Sequence, residues 1–85
     1  MPISGVIGTV TKTPLSIIIG ANVKHYREAK GISQGELARM AMLKGGQPYI
    51  SGIESGSRNL SIQSLERIAA ALGQPAITLL VKLSG

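Results

Sequence analysis

The chain has 85 residues, a net charge of +5 and a hydrophobic content of 44%. Its length suits one small domain, and because it has no cysteine, disulfides, thiolate metal sites and cysteine nucleophiles are excluded. Nine Lys and Arg residues against four acidic residues attract polyanions, of which nucleic acid is the commonest, although an ordinary basic domain has the same charge.

Residues 1–11 alternate weakly in polarity, with Ile3, Gly5 and Ile7 at every second position. This pattern is typical of a short strand, but a strand needs a hairpin partner or a second chain. A disordered tail is the alternative that we favour. We therefore predict an N-terminal extension over residues 1–13, followed by a single domain over residues 14–85.

The first helix is predicted over residues 14–30. Thr13 followed by Pro14 is typical of an N-cap and a first helical residue, and Gly31 is expected to end the helix. The periodicity predicts one inward face. Its expected inward residues are Leu15, Ile18 or Ile19, Val23 and Tyr26.

A second helix is predicted to begin at Gln34, because Ser33 and Glu36 have the spacing of a capping box. Its expected inward residues are Leu37, Ala38 and Ala41. Residues 44–46 read Lys-Gly-Gly and interrupt this helix, since each glycine costs a helix about 1 kcal/mol relative to alanine.

A short third helix is predicted over about residues 47–55, starting at Gln47 and Pro48, with Ile50 and Ile53 inward and Gly56 just past its end. Ser61 caps a fourth helix, which Gly73 ends. The inward residues of the fourth helix are Leu65, Ile68, Ala69 and Leu72. A fifth helix is predicted from Pro75 to about Lys82, so the expected fold is all-α.

The second and third helices, joined by a glycine turn, are typical of a helix-turn-helix unit. A helix fits the DNA major groove, which is roughly 12 Å wide, if one face is anchored and the other carries small or polar residues. Ile50 and Ile53 supply the anchored face of the third helix. Its other sides carry Gln47, Tyr49, Ser51, Gly52 and Ser55.

In its motifs the chain resembles the phage repressor and Cro family of helix-turn-helix regulators, also called the xenobiotic-response-element type. The matching motifs are Gly20-Ala21-Asn22-Val23, Arg27, Gly31-Ile32-Ser33-Gln34, Leu37-Ala38, Ile50-Ser51, Ile53-Glu54, Gly56, Leu65 and Ala71-Leu72-Gly73. The resemblance implies a compact, lambda-repressor-like domain of five helices that binds operator DNA, usually as a two-fold dimer, and so acts as a transcriptional regulator and repressor.

The chain departs from the family at one place. Its distance from Leu37 to Ile50 is two residues longer than is usual, and we place the extra residues within 44–46. Lengthening a loop costs little entropy. The sequence therefore does not predict the angle between the second and third helices.

Gln47 is the main candidate for reading a base, because a glutamine amide pairs with N6 and N7 of adenine. Its alternative role is as the N-cap ahead of Pro48. Pro48 and Gly52 stand at positions that resemble base-reading sites but offer no side-chain donor, so DNA shape is expected to supplement direct readout. Three further candidates for hydrogen bonds to DNA are Tyr49, Ser51 and Ser55. Tyr49 is expected to reach a phosphate, and Ser51 alternatively bonds within its own helix.

The backbone phosphates of DNA have four candidate ligands outside the third helix. Gln34 opens the second helix, and the resemblance implies that it holds a phosphate there. Lys44 in the turn, and Arg58 and Asn59 in the loop after the third helix, are expected to contact the sugar-phosphate backbone. A solvated surface side chain is the alternative for each.

Arg27 and Glu54 each lie beside the inward stripe of their helix rather than opposite it. We expect them to form an ion pair that joins the first helix to the third, as the resemblance also implies. Arg27 is then a structural residue and not a DNA contact.

The fifth helix is more apolar than one buried face requires, so we predict a homodimer through this helix, through the N-terminal segment with residues 17–19, or through both.

An enzyme is not expected, because the chain has one histidine, His25, and neither aspartate nor cysteine. No metal or other cofactor is predicted. An antitoxin or adaptor-type protein-binding module with the same fold is the alternative function.

Neither a signal peptide nor a membrane-spanning helix is predicted, because the longest aliphatic block, residues 17–19, is too short to cross a bilayer. We therefore expect a cytoplasmic protein that associates with the nucleoid, with no membrane partner.

Overall fold

The computed structural model describes residues 13–83, which form helices and connecting turns without a strand. Four α-helices, α1 (Pro14–Lys30), α2 (Gln34–Met40), α3 (Gly46–Glu54) and α4 (Ile62–Leu72), are followed by a 3₁₀ helix (Ala76–Leu80). The predicted all-α class is confirmed. The strand or tail predicted for residues 1–11 lies outside the described residues.

The helix ends follow local sequence signals. Thr13, Ser33 and Ser61 each accept a hydrogen bond from the backbone amide three residues on, which satisfies an amide that has no partner inside the helix. Gly31 and Gly73 end α1 and α4 in the left-handed conformation, with φ of 74° and 72°. The predicted starts of α1, α2 and α4 and the predicted ends of α1 and α4 are confirmed, whereas α2 ends at Met40, before residues 44–46, which were expected to interrupt it.

The core consists of aliphatic side chains from every helix. Its buried members are Ile19, Val23, Leu37, Ala38, Ala41, Ile50, Ile53, Leu65, Ile68, Ala69, Leu72 and Leu79. Each fully buried isoleucine or leucine contributes roughly 1.5–3 kcal/mol of transfer free energy. The inward residues predicted for the second, third and fourth helices are therefore confirmed.

In α1 the predicted inward face is partly wrong. Leu15 remains 49% exposed and borders an open apolar groove that is also lined by Leu60 and Ile62. Ile19, which is 5% exposed, is the buried member of the Ile18 and Ile19 pair, and Tyr26 packs on the edge of the core.

Gly20 allows α1 and α3 to approach closely. A Cβ on Gly20 would lie 2.7 Å from the carbonyl oxygen of Glu54, and closer still to that of Ile53. Any side chain at this position would push the two helices apart. The end of α3 is therefore held directly against the middle of α1.

The predicted fifth helix is not an α-helix to Lys82 but a five-residue 3₁₀ helix, Ala76–Leu80. Asn22 of α1 is 1% exposed, and its Nδ2 donates to the carbonyl oxygens of Leu79 at 2.8 Å and of Val81 at 2.9 Å. The helix ends at Leu80 because Val81 is extended, with φ of −104° and ψ of 128°, and the hydrogen bonds from Asn22 hold the chain in this path.

The turn between α2 and α3 contains a strained residue. Met42 has a φ of 56°, a left-handed conformation that costs a residue with a Cβ roughly 1–2 kcal/mol, and its side chain is 72% exposed. The strain therefore has little compensation from burial.

We predict that Met42→Gly raises the free energy of unfolding by about 0.5–1 kcal/mol, because glycine adopts this conformation without a Cβ clash. Met42→Ala removes the same exposed side chain but keeps the Cβ, so it should leave stability within about 0.5 kcal/mol of the parent. Urea unfolding of both variants measures the difference, and equal stabilities of the two would refute a strained turn.

Candidate DNA-binding surface

α3 has one buried side and one accessible side. Ile50 and Ile53 are 0% and 1% exposed and hold the helix on the core. The accessible residues are Gln47, Pro48 and Ser55, which are exposed, and Tyr49, Ser51 and Gly52, which are partly exposed. The helix starts at Gly46, and no side chain caps it. The alternative role of Gln47 as N-cap is therefore wrong, which leaves its amide available for other contacts.

Gln47 is held by a side chain of α2. Its Nε2 donates to Oε1 of Gln34 at 2.7 Å, and Nε2 of Gln34 donates to Oε1 of Glu54 at 2.9 Å. This chain of hydrogen bonds orients both amides. It leaves the Oε1 of Gln47 and its second N–H free, which are the acceptor and donor that a glutamine offers to adenine.

Glu54 also pairs with Arg27 of α1. Nε of Arg27 lies 2.6 Å from Oε2 and Nη2 lies 3.2 Å from Oε1, while Nη1 donates to the carbonyl oxygen of Ile32 at 2.8 Å. The two side chains are only 13% and 5% exposed. These hydrogen bonds from the guanidinium to Glu54 raise the pKa of Arg27 above its ordinary value. Arg27 is thus held inside the fold and away from solvent.

Arg58 packs across the outside of α3. A Cβ on Gly52 would lie 2.9 Å from Cβ of Arg58, so the absence of a side chain at Gly52 makes room for the arginine. Its guanidinium carbon lies 5.2 Å from the centre of the Tyr49 ring, within the range of a cation–π contact. The arginine therefore lies on the accessible side of α3 at the position where Gly52 offers no side chain.

The other predicted site residues lie around this surface. Lys44, in the turn, and Asn59, after Arg58, are exposed. The hydroxyl of Ser55 donates to the carbonyl oxygen of Gly52 at 3.0 Å, so part of its capacity is used within the protein. Ser51 is partly exposed, and among residues 13–83 its hydroxyl makes no hydrogen bond.

We call the accessible side of α3, together with Gln34, Lys44, Arg58 and Asn59, the α3 surface. It carries two cations and no exposed carboxylate, since Glu54 is buried. Within the described part of the chain, no group of three or more His, Cys, Asp or Glu residues is arranged to hold a metal ion. No helix there has the length and apolarity needed to cross a membrane. The chemistry of this surface is therefore that of hydrogen bonding and attraction of anions.

Two features of the α3 surface were not predicted from the sequence. The hydrogen bonds of Gln34 to Glu54 and Gln47 join residues far apart in the chain, and no local pattern signals them. The packing of Arg58 on Gly52 has a weak signal, which is a glycine inside a helix that otherwise has polar residues on its accessible side.

Comparison with known proteins identifies the family. Residues 23–79 match the model of the helix-turn-helix family. The chain belongs to this family. The matched range contains α2, α3 and α4 in full, and with them the whole α3 surface.

Similar proteins include several regulators. The chain is 37% identical over 67 residues to a hypothetical transcription factor of Neisseria meningitidis serogroup B, a match that covers 79% of this chain and 61% of the relative. It is 42% identical over 64 residues to the HTH-type transcriptional regulator SinR of Bacillus subtilis, covering 74% of this chain and 56% of SinR. The chain thus spans less than two thirds of the length of either relative.

Solved structures show the same helix-turn-helix fold. The Neisseria factor NHTF superposes with a TM-score of 0.74 at 37% identity, covering 80% of this chain and 76% of that one. The restriction-modification controller protein C.Esp1396I, solved as a tetramer with its natural 35-base-pair operator, superposes with a TM-score of 0.70 at 37% identity, covering 80% of this chain and 87% of that one.

We predict that Arg27→Met and Glu54→Leu each lower the free energy of unfolding by about 3–5 kcal/mol, because each leaves the other charge buried without its partner. The double variant should lose much less than the sum, with a coupling energy of at least about 1 kcal/mol. Glu28→Gln is the control, since Glu28 lies 3.9 Å from Arg27 with 58% of its side chain exposed, and it should change stability by less than about 1 kcal/mol. Strictly additive losses in urea unfolding would contradict direct coupling.

Proposed function

We propose that the protein binds double-stranded DNA sequence-specifically and regulates transcription, with α3 in the major groove. The observation that carries this proposal is that Ile50 and Ile53 bury one side of α3 while Gln47 stands exposed and oriented on the other. A helix docked in this way matches the width of the major groove. We place the function in the domain of residues 14–85, with residues 1–13 as an extension, in a cytoplasmic protein.

Gln47 is the residue of the α3 surface best suited to read a base. Gln47 pairs with N6 and N7 of adenine through its free acceptor and donor. Arg58 lies across Gly52, where a base-contacting side chain would otherwise stand, and its guanidinium is suited to contact the sugar-phosphate backbone. Pro48 and Gly52 offer no side-chain donor, so DNA shape is expected to supplement the direct readout by Gln47.

The phosphates on either side of the groove are contacted by residues at the edges of the α3 surface. Gln34 opens α2, whose first backbone amides point outward toward an anion. Lys44 and Asn59 flank α3 from the turn and from the following loop, and Tyr49, Ser51 and Ser55 offer hydroxyl groups. Each phosphate neutralised adds about 0.9 to the salt dependence of binding.

A second copy of the chain completes the proposed DNA-binding unit. Large apolar side chains remain exposed outside the α3 surface, at Leu15, Ile17, Ile62, Ile77 and Val81. Their association would place two α3 helices one helical turn of DNA apart, about 34 Å. The operator complex of C.Esp1396I, which contains a tetramer, supports assembly on DNA. We propose repression as the mode of regulation, since occupying a promoter needs no surface beyond the one that binds it.

Selection of bound sequences from random DNA, followed by titration at several salt concentrations, tests the proposal. We expect the selected sequence to have two-fold symmetry and to contain a preferred adenine. In Gln47→Ala the preference for this adenine should fall by about 1–3 kcal/mol of binding free energy. Lys44→Gln should lower the salt slope by about 0.9 without changing sequence preference. Gln63→Ala, an exposed glutamine on α4, is the matched control and should leave both quantities unchanged.

A selected DNA sequence without two-fold symmetry would contradict the proposed dimer. If the wild-type protein enriches no sequence, the DNA-binding proposal fails, and a protein-binding module, such as an antitoxin or an adaptor, becomes the function to test.

A further inference from the structure

A basic cleft lies beside α3, between the lengthened turn and α4, with a volume of about 350 Å³. Its walls come from four parts of the fold: the turn, α3, the loop after α3, and α4. The polar residues that line the basic cleft are Lys44, Tyr49, Arg58, Ser64 and Arg67. Arg67 and Ser64 stand on α4, outside the set of residues assigned above to DNA.

The charge of the basic cleft is uncompensated. The four carboxylate side chains of the whole chain belong to Glu28, Glu36, Glu54 and Glu66, and none of them lines the cleft. Among residues 13–83, the ion pairs are those of Arg27 with Glu28 and Glu54. Three cations therefore share one cavity without a carboxylate between them, and their mutual repulsion is relieved by a bound anion.

The basic cleft also offers hydrogen-bond donors that other contacts hold in place. The guanidinium of Arg58 is held over the ring of Tyr49, at 5.2 Å from its centre. The hydroxyl of Ser64 accepts from that of Ser61 at 3.1 Å, which leaves its own proton to donate. Donors that are held in place lose less conformational entropy when a ligand binds.

The lengthened turn forms one wall of the cleft. A Cβ on Gly45 would lie 2.7 Å from Cβ of Tyr49, so this glycine lets the turn pack directly on the tyrosine. Met42, in its left-handed conformation, and Leu43 supply apolar surface to the same cavity. Strained backbone conformations of this kind concentrate at ligand-binding sites.

We infer that the basic cleft is a binding site for a phosphate group, held by Lys44, Arg58 and Arg67 together with the hydroxyls of Tyr49 and Ser64. A volume of about 350 Å³ is at the lower end of the range for small-ligand pockets, roughly 300–1,000 Å³. It accommodates either one phosphate of the DNA backbone or the phosphate of a small metabolite. Binding of a DNA phosphate rests on the proposed function, whereas binding of a metabolite phosphate does not.

Because Arg58 belongs both to the α3 surface and to the basic cleft, the two sources have different consequences. A backbone phosphate in the cleft strengthens DNA binding. A free phosphorylated ligand there competes for Arg58 and weakens DNA binding, and by reciprocity DNA weakens the ligand.

The test uses Arg67→Gln, with Arg39→Gln as a control that removes the same charge from an exposed site on α2. In the first arm, the amide resonances of the free protein are followed during titration with inorganic phosphate at constant ionic strength. We expect saturable shifts confined to the residues of the basic cleft, with about tenfold weaker binding in Arg67→Gln, the effect of losing one charge-assisted hydrogen bond, and no change in Arg39→Gln.

In the second arm, DNA binding is titrated with salt. A salt slope lowered by about 0.9 in Arg67→Gln, but not in Arg39→Gln, identifies the DNA backbone as the source. Unchanged DNA binding together with saturable phosphate binding identifies a free ligand. The inference is overturned if phosphate produces no saturable shift in the cleft and the two variants bind DNA alike. If the wild-type protein binds no DNA, the proposed function fails, and the first arm alone decides the cleft.

Discussion

The arrangement of the helices depends on the contacts of one carboxylate, which belongs to Glu54, the last residue of α3. Its Oε2 lies 2.6 Å from Nε of Arg27 on α1, and its Oε1 accepts from Nε2 of Gln34 on α2 at 2.9 Å. Burying this charge is costly unless donors surround it. One buried carboxylate thus ties three helices together, and through Gln34 it also orients Gln47 at the opposite end of α3.

This contact matters because α3 has nine residues and is too short to be stable alone. Ile50 and Ile53 hold it to the core but do not fix its rotation as sharply as a directional ion pair does. The close approach of Gly20 to the end of α3 adds a second constraint. Apart from Arg58, which packs on Gly52, the contacts that hold α3 therefore lie on its buried side or at its ends.

The extra residues of the turn leave these contacts intact. The hydrogen bond from Gln47 to Gln34 spans α3 and α2 at 2.7 Å, so the lengthened segment does not separate the two helices. The additional chain instead packs on Tyr49 and forms a wall of the basic cleft. The sequence alone did not predict the angle between α2 and α3, because of the insertion. The structure accommodates the extra residues at the surface, at little cost in entropy.

Most of the fold could be predicted from local sequence signals, whereas the contacts between residues far apart in the chain could not. Thr13, Ser33 and Ser61 mark helix starts because a capping hydroxyl acts within three residues. The extent predicted for the fifth helix was wrong, because the chain becomes extended at Val81, where it is held by Asn22, a residue that lies 57 positions before Leu79. For the same reason, pattern analysis found Gln34 and Arg58 as site candidates but not the contacts that orient them.

The exposure of Leu15 also departs from the periodic pattern. Periodicity shows which residues of a helix share a face, but it does not show how far along the helix the core extends. Leu15 shares the face of Val23, yet it lies in the first turn, at an open apolar groove, and remains half exposed. Such apolar ends are the places where a second copy of the chain is proposed to pack.

A crystal structure of the protein with its selected duplex tests most directly the claim that α3 is fixed from behind so that its accessible side meets DNA. We expect that Gln47 lies within hydrogen-bonding distance of a base edge, that Arg58, packed on Gly52, contacts the DNA backbone, and that the Arg27–Glu54 pair is unchanged. A complex in which the accessible side of α3 faces solvent, with the outer face of α1 or α4 on the DNA, would contradict it.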